Sequence, residues 1–105
     1  MEKLCSMLGL ARRANKLIIG RDGVISAVRA GKAKLVLLTA DASPRHRQEL
    51  AAIGYAGTVR EMPCTMDDMA VHIGKKSCIF ALEDENFVSA VQKLISEEET
   101  KFGSH

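Results

Sequence analysis

Two short and almost wholly apolar segments constrain the fold of this chain most strongly. They are KLVLLTA at residues 34–40 and SCIFAL at residues 77–82. A strand with one face in water alternates apolar and polar residues, whereas a strand covered on both faces lacks that alternation. Both segments are therefore predicted to be central strands of a sheet that has helices on its two faces.

Amphipathic helices are predicted on either side of these strands. Residues 1–14 and 22–30 place apolar side chains at helical spacing, and Gly31 is predicted to end the second helix in the left-handed conformation. Residues 17–19 fit a short strand or a packed connector, and residues 56–60 fit a short strand. Helices and strands therefore alternate from the start of the chain.

Two further helix starts carry side chains that can cap them. Ser43 is predicted to cap a third helix that has Pro44 at its first position. Thr65 and Asp68 have the spacing of a capping box at the start of a fourth helix, which Gly74 is predicted to end. Both starts agree with the alternating order of elements.

A last helix is predicted from Glu83, and it is expected to fray into the acidic tail at residues 96–105. The complete order is αβαβαβαβα with short connections. This order predicts an α/β fold, a three-layer α/β/α sandwich around a small mixed central sheet of about four strands. The 105 residues are predicted to form a single domain, residues 1–105.

The composition indicates a cytoplasmic protein. No segment is long and apolar enough to span a bilayer, and residues 1–16 do not resemble a signal peptide. The three cysteines include no CxxC pair and do not resemble a secreted disulfide framework. We expect no membrane partner, and we expect Cys5, Cys64 and Cys78 to be buried and unreactive.

Basic residues are concentrated in the first half of the sequence. Residues 1–52 contain ten Lys/Arg and four Asp/Glu, whereas the remainder contains five basic and nine acidic residues. This asymmetry favours an anionic partner such as nucleic acid. A solvated surface with an acidic tail accounts for the same numbers, because the halves of a sequence need not correspond to faces of the fold.

Motifs for nucleotide binding are incomplete. Gly20 and Gly23 lack the third glycine of a dinucleotide-binding loop. Ala33 follows Gly31-Lys32 at the position where a P-loop has Ser or Thr, so the hydroxyl that would bind the metal is missing. A nucleotide cofactor is therefore not expected.

Catalytic groupings are also incomplete. Cys64 and His72 could form a nucleophile–base pair, but no third residue that would orient the histidine is identifiable. Asp67 and Asp68 diverge on a helix, and they suit a helix N-terminus better than an acid/base pair. The sequence therefore predicts no enzyme, no metal site, no cofactor and no small-molecule substrate.

The start of the second helix has two interpretations. Its polar face carries Asp22, Ser26 and Arg29, with Arg21 just before it. Free N–H groups at a helix start bind anions, and Gly23 has no Cβ to block a phosphate. Alternatively, the carboxylate of Asp22 accepts hydrogen bonds from those N–H groups as an N-cap, which leaves an ordinary amphipathic helix.

Three longer segments carry a resemblance to a known family. They are AVRAGKAKLVLLTADASP, TMDDMAVHIGKKSCIFAL and LGLARRANKLIIG. The first two resemble the ribosomal protein L7Ae/L30e superfamily, which binds kink-turn RNA, and the third resembles its bacterial branch of small ribosome-associated proteins. The resemblance runs from about Leu8 to Ile95. It implies the same sandwich fold and a non-enzymatic function with a structured RNA, ribosomal or regulatory, as the partner.

The superfamily reads bent RNA with the start of its second helix, through the pattern Gly-x-Asn/Lys-Glu/Gln-x-x-Lys. Gly20 matches this pattern, but Asp22, Gly23 and Ser26 replace its polar residues, and Ala30 replaces a basic residue. Gly23 and Ser26 cannot reach a base edge as the family's side chains do, and each lost contact costs about 1–3 kcal/mol. Whether kink-turn selectivity survives these changes is left open by the sequence.

The resemblance implies two further contacts with RNA, one from the loop before the last strand and one from the helix after ADASP. The predicted RNA-binding residues are therefore Gly20, Arg21, Asp22, Gly23, Ser26, Arg29, Ser43, Arg45, Arg47, Lys75 and Lys76. A rival hypothesis is a protein-interaction module on the same scaffold that has lost specific RNA reading. Basic residues gathered on one face would favour RNA, and scattered ones a protein partner.

Overall fold

The computed structural model describes residues 2–103 and the side chains of residues 2–98. Its elements are, in chain order, α1 (Glu2–Arg13), β1 (Leu17–Ile19), α2 (Arg21–Arg29), β2 (Leu35–Leu38), α3 (Arg45–Ala52), β3 (Thr58–Glu61), α4 (Met66–Ile73), β4 (Ile79–Leu82) and α5 (Glu85–Gly103). The predicted order of elements is confirmed. α5 continues the helix through Gly103, although the sequence predicts fraying at residues 96–105, of which 104 and 105 lie outside the described part.

The strands form one mixed sheet. Within the described residues the sheet has four strands in the order β1-β4-β2-β3. β4 runs antiparallel to both β1 and β2, and β2 runs parallel to β3. β2 and β4, which come from the two apolar segments of the sequence, are central and buried along their whole length. Their prediction as central strands is confirmed.

Successive residues of the central strands face two separate cores. Leu35 and Leu37 of β2 pack with α1, α4 and α5 on one face of the sheet. Val36 and Leu38 pack with α2 and α3 on the other face. Full burial of one such side chain contributes about 2 kcal/mol. The layers are those of the predicted α/β/α sandwich, and none of the described helices has the length and apolar character needed to cross a membrane.

The sequence predicts helix caps at the starts of α4 and α3. The capping box of α4 is present, because Thr65 Oγ1 accepts a hydrogen bond from the Asp68 N–H (3.2 Å) and Asp68 Oδ2 accepts one from the Thr65 N–H (2.9 Å). α3 begins at Arg45 with Pro44 as its N-cap, one residue later than predicted. Ser43 Oγ nevertheless accepts a hydrogen bond from the Arg45 N–H (3.2 Å), so the predicted side chain still contacts the helix start.

Candidate functional site

The start of α2 has an unusual backbone conformation at Gly20. This residue is the N-cap, with φ 93° and ψ 158°, a region that residues with a Cβ rarely adopt. Its N–H donates to the carbonyl oxygen of Ile79 (3.0 Å), which ties the helix start to β4. No side chain in the described part of the chain caps α2, so the interpretation of Asp22 as an N-cap is wrong. The Asp22 carboxylate, 98% exposed, accepts a hydrogen bond from Arg21 Nη1 instead (3.0 Å).

Gly23 lies where α2 passes close to β1. A Cβ added at this position would lie 3.0 Å from Cγ2 of Ile18, which is tighter than ordinary van der Waals contact. The missing Cβ therefore makes room for Ile18, and the interpretation that it clears space for a phosphate is not supported. Glycine at position 23 and isoleucine at position 18 fit each other, which sets the distance between α2 and β1.

Arg21 connects the start of α2 to α3. Its Nε donates to Glu49 Oε1 (2.8 Å), and its Nη2 contacts Glu49 Oε2, so the two side chains meet in a two-point ion pair. The hydrogen bonds raise the pKa of Arg21 and lower the pKa of Glu49. Arg21 is therefore a paired cation whose position is fixed by α3.

A shallow groove runs between the start of α2 and the exposed side of α3. Its lining comprises Arg21, Arg45, His46, Gln48, Glu49 and Ala52. Arg45 is exposed, and its side chain forms no ion pair with any described residue. The groove lining therefore combines Arg21, whose charge is neutralised by Glu49, with Arg45, which forms no ion pair with a described residue.

The α4–β4 loop, residues 74–78, lies beside this groove. Cys78 Sγ is 3.1 Å from Nε2 of His46, and this contact joins the loop to the first turn of α3. Lys76 Nζ pairs with Asp67 Oδ1 of α4 (3.3 Å), at an exposed site. Lys75 is exposed and forms no ion pair with any described side chain. The loop that contacts α3 through Cys78 therefore also carries Lys75, a cation with no ion-pair partner among the described side chains.

The predicted basic residues gather only in part. Arg21 and Arg45 share the groove, and Lys75 is on the adjoining loop. α2 rises about 1.5 Å per residue, so Arg29 lies about 12 Å along the helix axis from Arg21. Arg47 is exposed but does not line the groove. The structure thus brings together the start of α2, the start of α3 and the α4–β4 loop, with Arg29 and Arg47 outside this surface.

The sequence did not indicate five residues of this surface, namely His46, Gln48, Glu49, Ala52 and Cys78. Three of them have partners far away in the chain, 28 residues for Arg21–Glu49 and 32 for His46–Cys78, so no local pattern indicates them. The expectation that Cys78 is buried is wrong, because it is only partly buried. Burial of Cys5 and Cys64, at 2% and 0% exposure, is confirmed.

Cys64 and His72 do not form the nucleophile–base pair that the sequence analysis considered. Cys64 lies in the core, where the neighbouring Cys5 thiol and burial raise its pKa, and His72 is exposed on α4. A thiol in this environment stays protonated and inert. Within the described part of the chain, no three His, Cys, Asp or Glu side chains are grouped so as to hold a metal ion.

Known proteins match this chain over most of its length. The ribosomal protein L7Ae/L30e/S12e/Gadd45 family model matches residues 2–87. The "RNA-binding protein YlxQ" of Enterococcus faecium is 31% identical over 98 residues, which are 90% of this chain and 92% of that protein. The "RNA-binding protein YlxQ" of Bacillus subtilis (strain 168) is 60% identical over 37 residues, 35% of this chain and 37% of that protein. The resemblance inferred from the three sequence segments is confirmed.

Two solved structures share the fold. A protein of unknown function from Bacillus halodurans superposes with a TM-score of 0.79 at 30% identity, covering 90% of this chain and 97% of that one. The 15.5kD RNA binding protein of Giardia lamblia superposes with a TM-score of 0.67 at 16% identity, covering 90% of this chain and 85% of that one. The sandwich is thus shared with proteins whose sequences have diverged widely.

Proposed function

The chain belongs to the ribosomal protein L7Ae/L30e/S12e/Gadd45 family, and on that premise we propose that it is a non-enzymatic RNA-binding protein. It recognises a bent, kink-turn-like RNA through the start of α2, the start of α3 and the α4–β4 loop. The RNA is a ribosomal or regulatory one, and the protein acts in the cytoplasm, with the ribosome as one setting. Two relatives that carry the name RNA-binding protein support the partner class.

One observation carries the proposal, which is that three segments remote in sequence meet at one surface. The Gly20–Ile79 hydrogen bond joins the start of α2 to β4, and the His46–Cys78 contact joins the start of α3 to the α4–β4 loop. Recognition of RNA shape requires several contacts held in fixed relative positions. A surface made from three braced segments meets this requirement better than a single flexible loop would.

We assign phosphate binding to groups that have no partner among the described residues. The uncapped start of α2 offers backbone N–H groups to an anion, Arg45 supplies positive charge in the groove, and Lys75 supplies it on the adjoining loop. Arg21 contributes less, because Glu49 and Asp22 neutralise its charge. Binding by this route depends strongly on salt concentration.

Base reading is weaker than in the family's usual pattern. Gly23 has no side chain and Ser26 a short one, so the hydrogen-bonding side chains of the first turn of α2 are Asp22 and Arg21, and Arg21 is already paired with Glu49. A carboxylate accepts hydrogen bonds from base amino groups and donates none. We therefore expect recognition to follow the shape of the RNA more than its sequence.

Titration of a kink-turn RNA and a straight duplex of equal length tests this function directly. At moderate salt we expect a dissociation constant of about 1 µM or tighter for the kink-turn, and at least about tenfold weaker binding of the duplex. A kink-turn RNA whose bend is abolished by base changes is the matched control. Equal affinity for bent and straight RNA would overturn the specific form of the proposal.

A second candidate function is a protein-interaction module on the same scaffold. The observation that favours it is apolar exposure away from the groove, since Val71 of α4 is 83% exposed and Leu10 of α1 is 47% exposed. Replacing Val71 with Asp leaves RNA binding unchanged if the groove is the working surface. Loss of function in cells from that replacement, with RNA affinity intact, would favour the protein partner.

A further inference from the structure

A thiol and an imidazole meet at the edge of the groove, and the proposed RNA contacts do not use them. Cys78 Sγ lies 3.1 Å from Nε2 of His46, and both residues are partly exposed. The two side chains come from different elements, the α4–β4 loop and the first turn of α3. A cysteine with a base within hydrogen-bond distance is the arrangement that activates thiols as nucleophiles.

The other two cysteines provide an internal comparison. Cys5 and Cys64 are 2% and 0% exposed and belong to the core packed by α1, α4 and α5. A disulfide reagent in solution cannot reach either sulfur while the protein is folded. Cys78 is therefore distinguished from both by access and by its histidine neighbour.

We propose that Cys78 is a thiol-modification site, with His46 as its proton acceptor and low-molecular-weight disulfides as its reaction partners. In the tautomer with the proton on Nδ1, the Cys78 thiol donates a hydrogen bond to Nε2 of His46. Transfer of that proton to Nε2 leaves a thiolate. The thiolate attacks one sulfur of the disulfide, a new S–S bond forms, and the old one breaks to release a thiolate. The released thiolate takes the proton from the imidazolium, so the products are a mixed disulfide and one free thiol.

The position of Cys78 gives the modification a consequence for binding, and this part rests on the proposed RNA-binding function. Cys78 sits in the α4–β4 loop, three residues from Lys75, and it contacts the helix that carries Arg45. A molecule the size of glutathione, attached at this sulfur, would separate the loop from α3 and cover the edge of the groove. Modification is therefore expected to weaken RNA binding, and bound RNA is expected to shield the thiol.

Mass spectrometry of the full chain tests the site itself. The reduced protein is incubated with oxidised glutathione at neutral pH, and adducts are counted and located by peptide mapping. We expect one adduct per chain, at Cys78, and none on the Cys78→Ser variant. A first adduct on Cys5 or Cys64 of the folded protein would overturn the proposal.

Replacement of the histidine tests its role as proton acceptor. His46→Gln removes the imidazole nitrogen that lies 3.1 Å from Cys78 Sγ and accepts the thiol proton, so it is expected to slow adduct formation about tenfold. His72→Gln, at an exposed histidine on α4, is the matched control and should react at the wild-type rate. Equal rates for His46→Gln and wild type would overturn the role of His46. Unfolding of the variant would reveal itself as new adducts on Cys5 and Cys64, and His46→Asn would then be measured in its place.

RNA titration before and after glutathione treatment tests the consequence. We expect at least about a tenfold loss of kink-turn affinity after modification, reversed by a reducing agent. The Cys78→Ser variant should have the same affinity with and without treatment. Wild-type affinity after full modification would overturn the effect on binding. If the unmodified protein binds no RNA at all, the proposed function fails while the adduct measurement still decides the modification site.

Discussion

The starts of α2 and α4 solve the same physical problem in opposite ways. A helix start leaves backbone N–H groups without partners inside the helix. At α4 the chain supplies those partners itself, because Thr65 and Asp68 form a capping box and Asp41 Oδ1 accepts a hydrogen bond from the Met66 N–H (3.0 Å). At α2 the N-cap is a glycine with positive φ and no described side chain caps the helix. The protein's own side chains close the first start, whereas no side chain in the described part of the chain closes the second.

From this difference we infer that the start of α4 serves stability, and it accords with the proposed binding role of the start of α2. Satisfied N–H groups at α4 anchor the helix next to the buried thiols of the core. The open N–H groups at α2 lie beside a groove that contains an unpaired arginine. Substitutions at the start of α4 should therefore change the free energy of unfolding, whereas substitutions in the groove beside the start of α2 should change RNA affinity.

Substitution of Gly20 by Ala should have the largest effect on stability. A Cβ meets no atom within 4 Å there, so the cost comes only from φ 93° and ψ 158°, a conformation that costs about 2 kcal/mol for residues other than glycine. Urea unfolding measures this loss. Gly31→Ala, at φ 72° and also in open space, is the matched control, with an expected loss of about 1 kcal/mol. Equal losses at both positions would show that the Gly20 conformation carries no extra strain.

Charge reversal at Arg45 and Lys75 should have the next largest effect, and only on binding. The double variant Arg45→Glu/Lys75→Glu should lose about tenfold or more in RNA affinity. The slope of log K against log salt concentration should decrease in magnitude by about two. Lys3→Glu/Lys93→Glu changes the net charge equally on exposed surfaces outside the groove. A similar loss in this control would mean that overall charge, and not the groove, determines binding.

Removal of the α4 cap should cost less than the change at Gly20 and should leave the RNA-binding surface intact. Thr65→Ala removes the oxygen that accepts the Asp68 N–H, and the expected loss is about 1 kcal/mol in the free energy of unfolding. Thr65→Ser keeps that oxygen and should retain most of the stability. If RNA affinity fell with Thr65→Ala while stability did not, the contrast between the two helix starts would be wrong.

The pH dependence of the Arg21–Glu49 pair should give the smallest effect. Arg21 lowers the pKa of Glu49 below its ordinary value of 4.5 in the folded protein. The folded state therefore binds fewer protons at this site than the unfolded state, so the pair's contribution is fully present above pH 4.5 and disappears as the pH falls through the lowered pKa. The difference in stability between wild type and Glu49→Gln should narrow over that range. A difference that stays constant down to strongly acidic pH would contradict the assignment.

Features that depend on a few neighbouring residues could be predicted from the sequence. The capping box of Thr65 and Asp68 spans four positions, and the buried strands at residues 35–38 and 79–82 are evident from their own apolar residues. The family resemblance came from the same kind of local pattern. These features need no knowledge of what lies across the fold, because their causes are capping, periodicity and burial within one segment.

The candidate site was predictable only in outline. The start of α2 and the α4–β4 loop could be singled out, but the sequence did not reveal that Glu49 neutralises Arg21 or that Gly23 makes room for Ile18. One of its two interpretations of the α2 start, in which Asp22 is the N-cap, is wrong, and so is the expectation that Cys78 is buried. Glu49, Ile18 and His46 belong to other elements than the residues they contact, whereas Asp22 contacts its neighbour Arg21 within α2.

The sequence by itself determined the order of helices and strands, the two buried strands and the closed start of α4. Only the tertiary structure decided the strand order β1-β4-β2-β3, which places the α4–β4 loop beside α3 and the start of α2 beside β4. The physical reason is range. Helix caps and apolar periodicity act over a few residues. The ion pair of Arg21 with Glu49 and the contact of Cys78 with His46 join residues about 30 positions apart, and only the folded sheet brings them together.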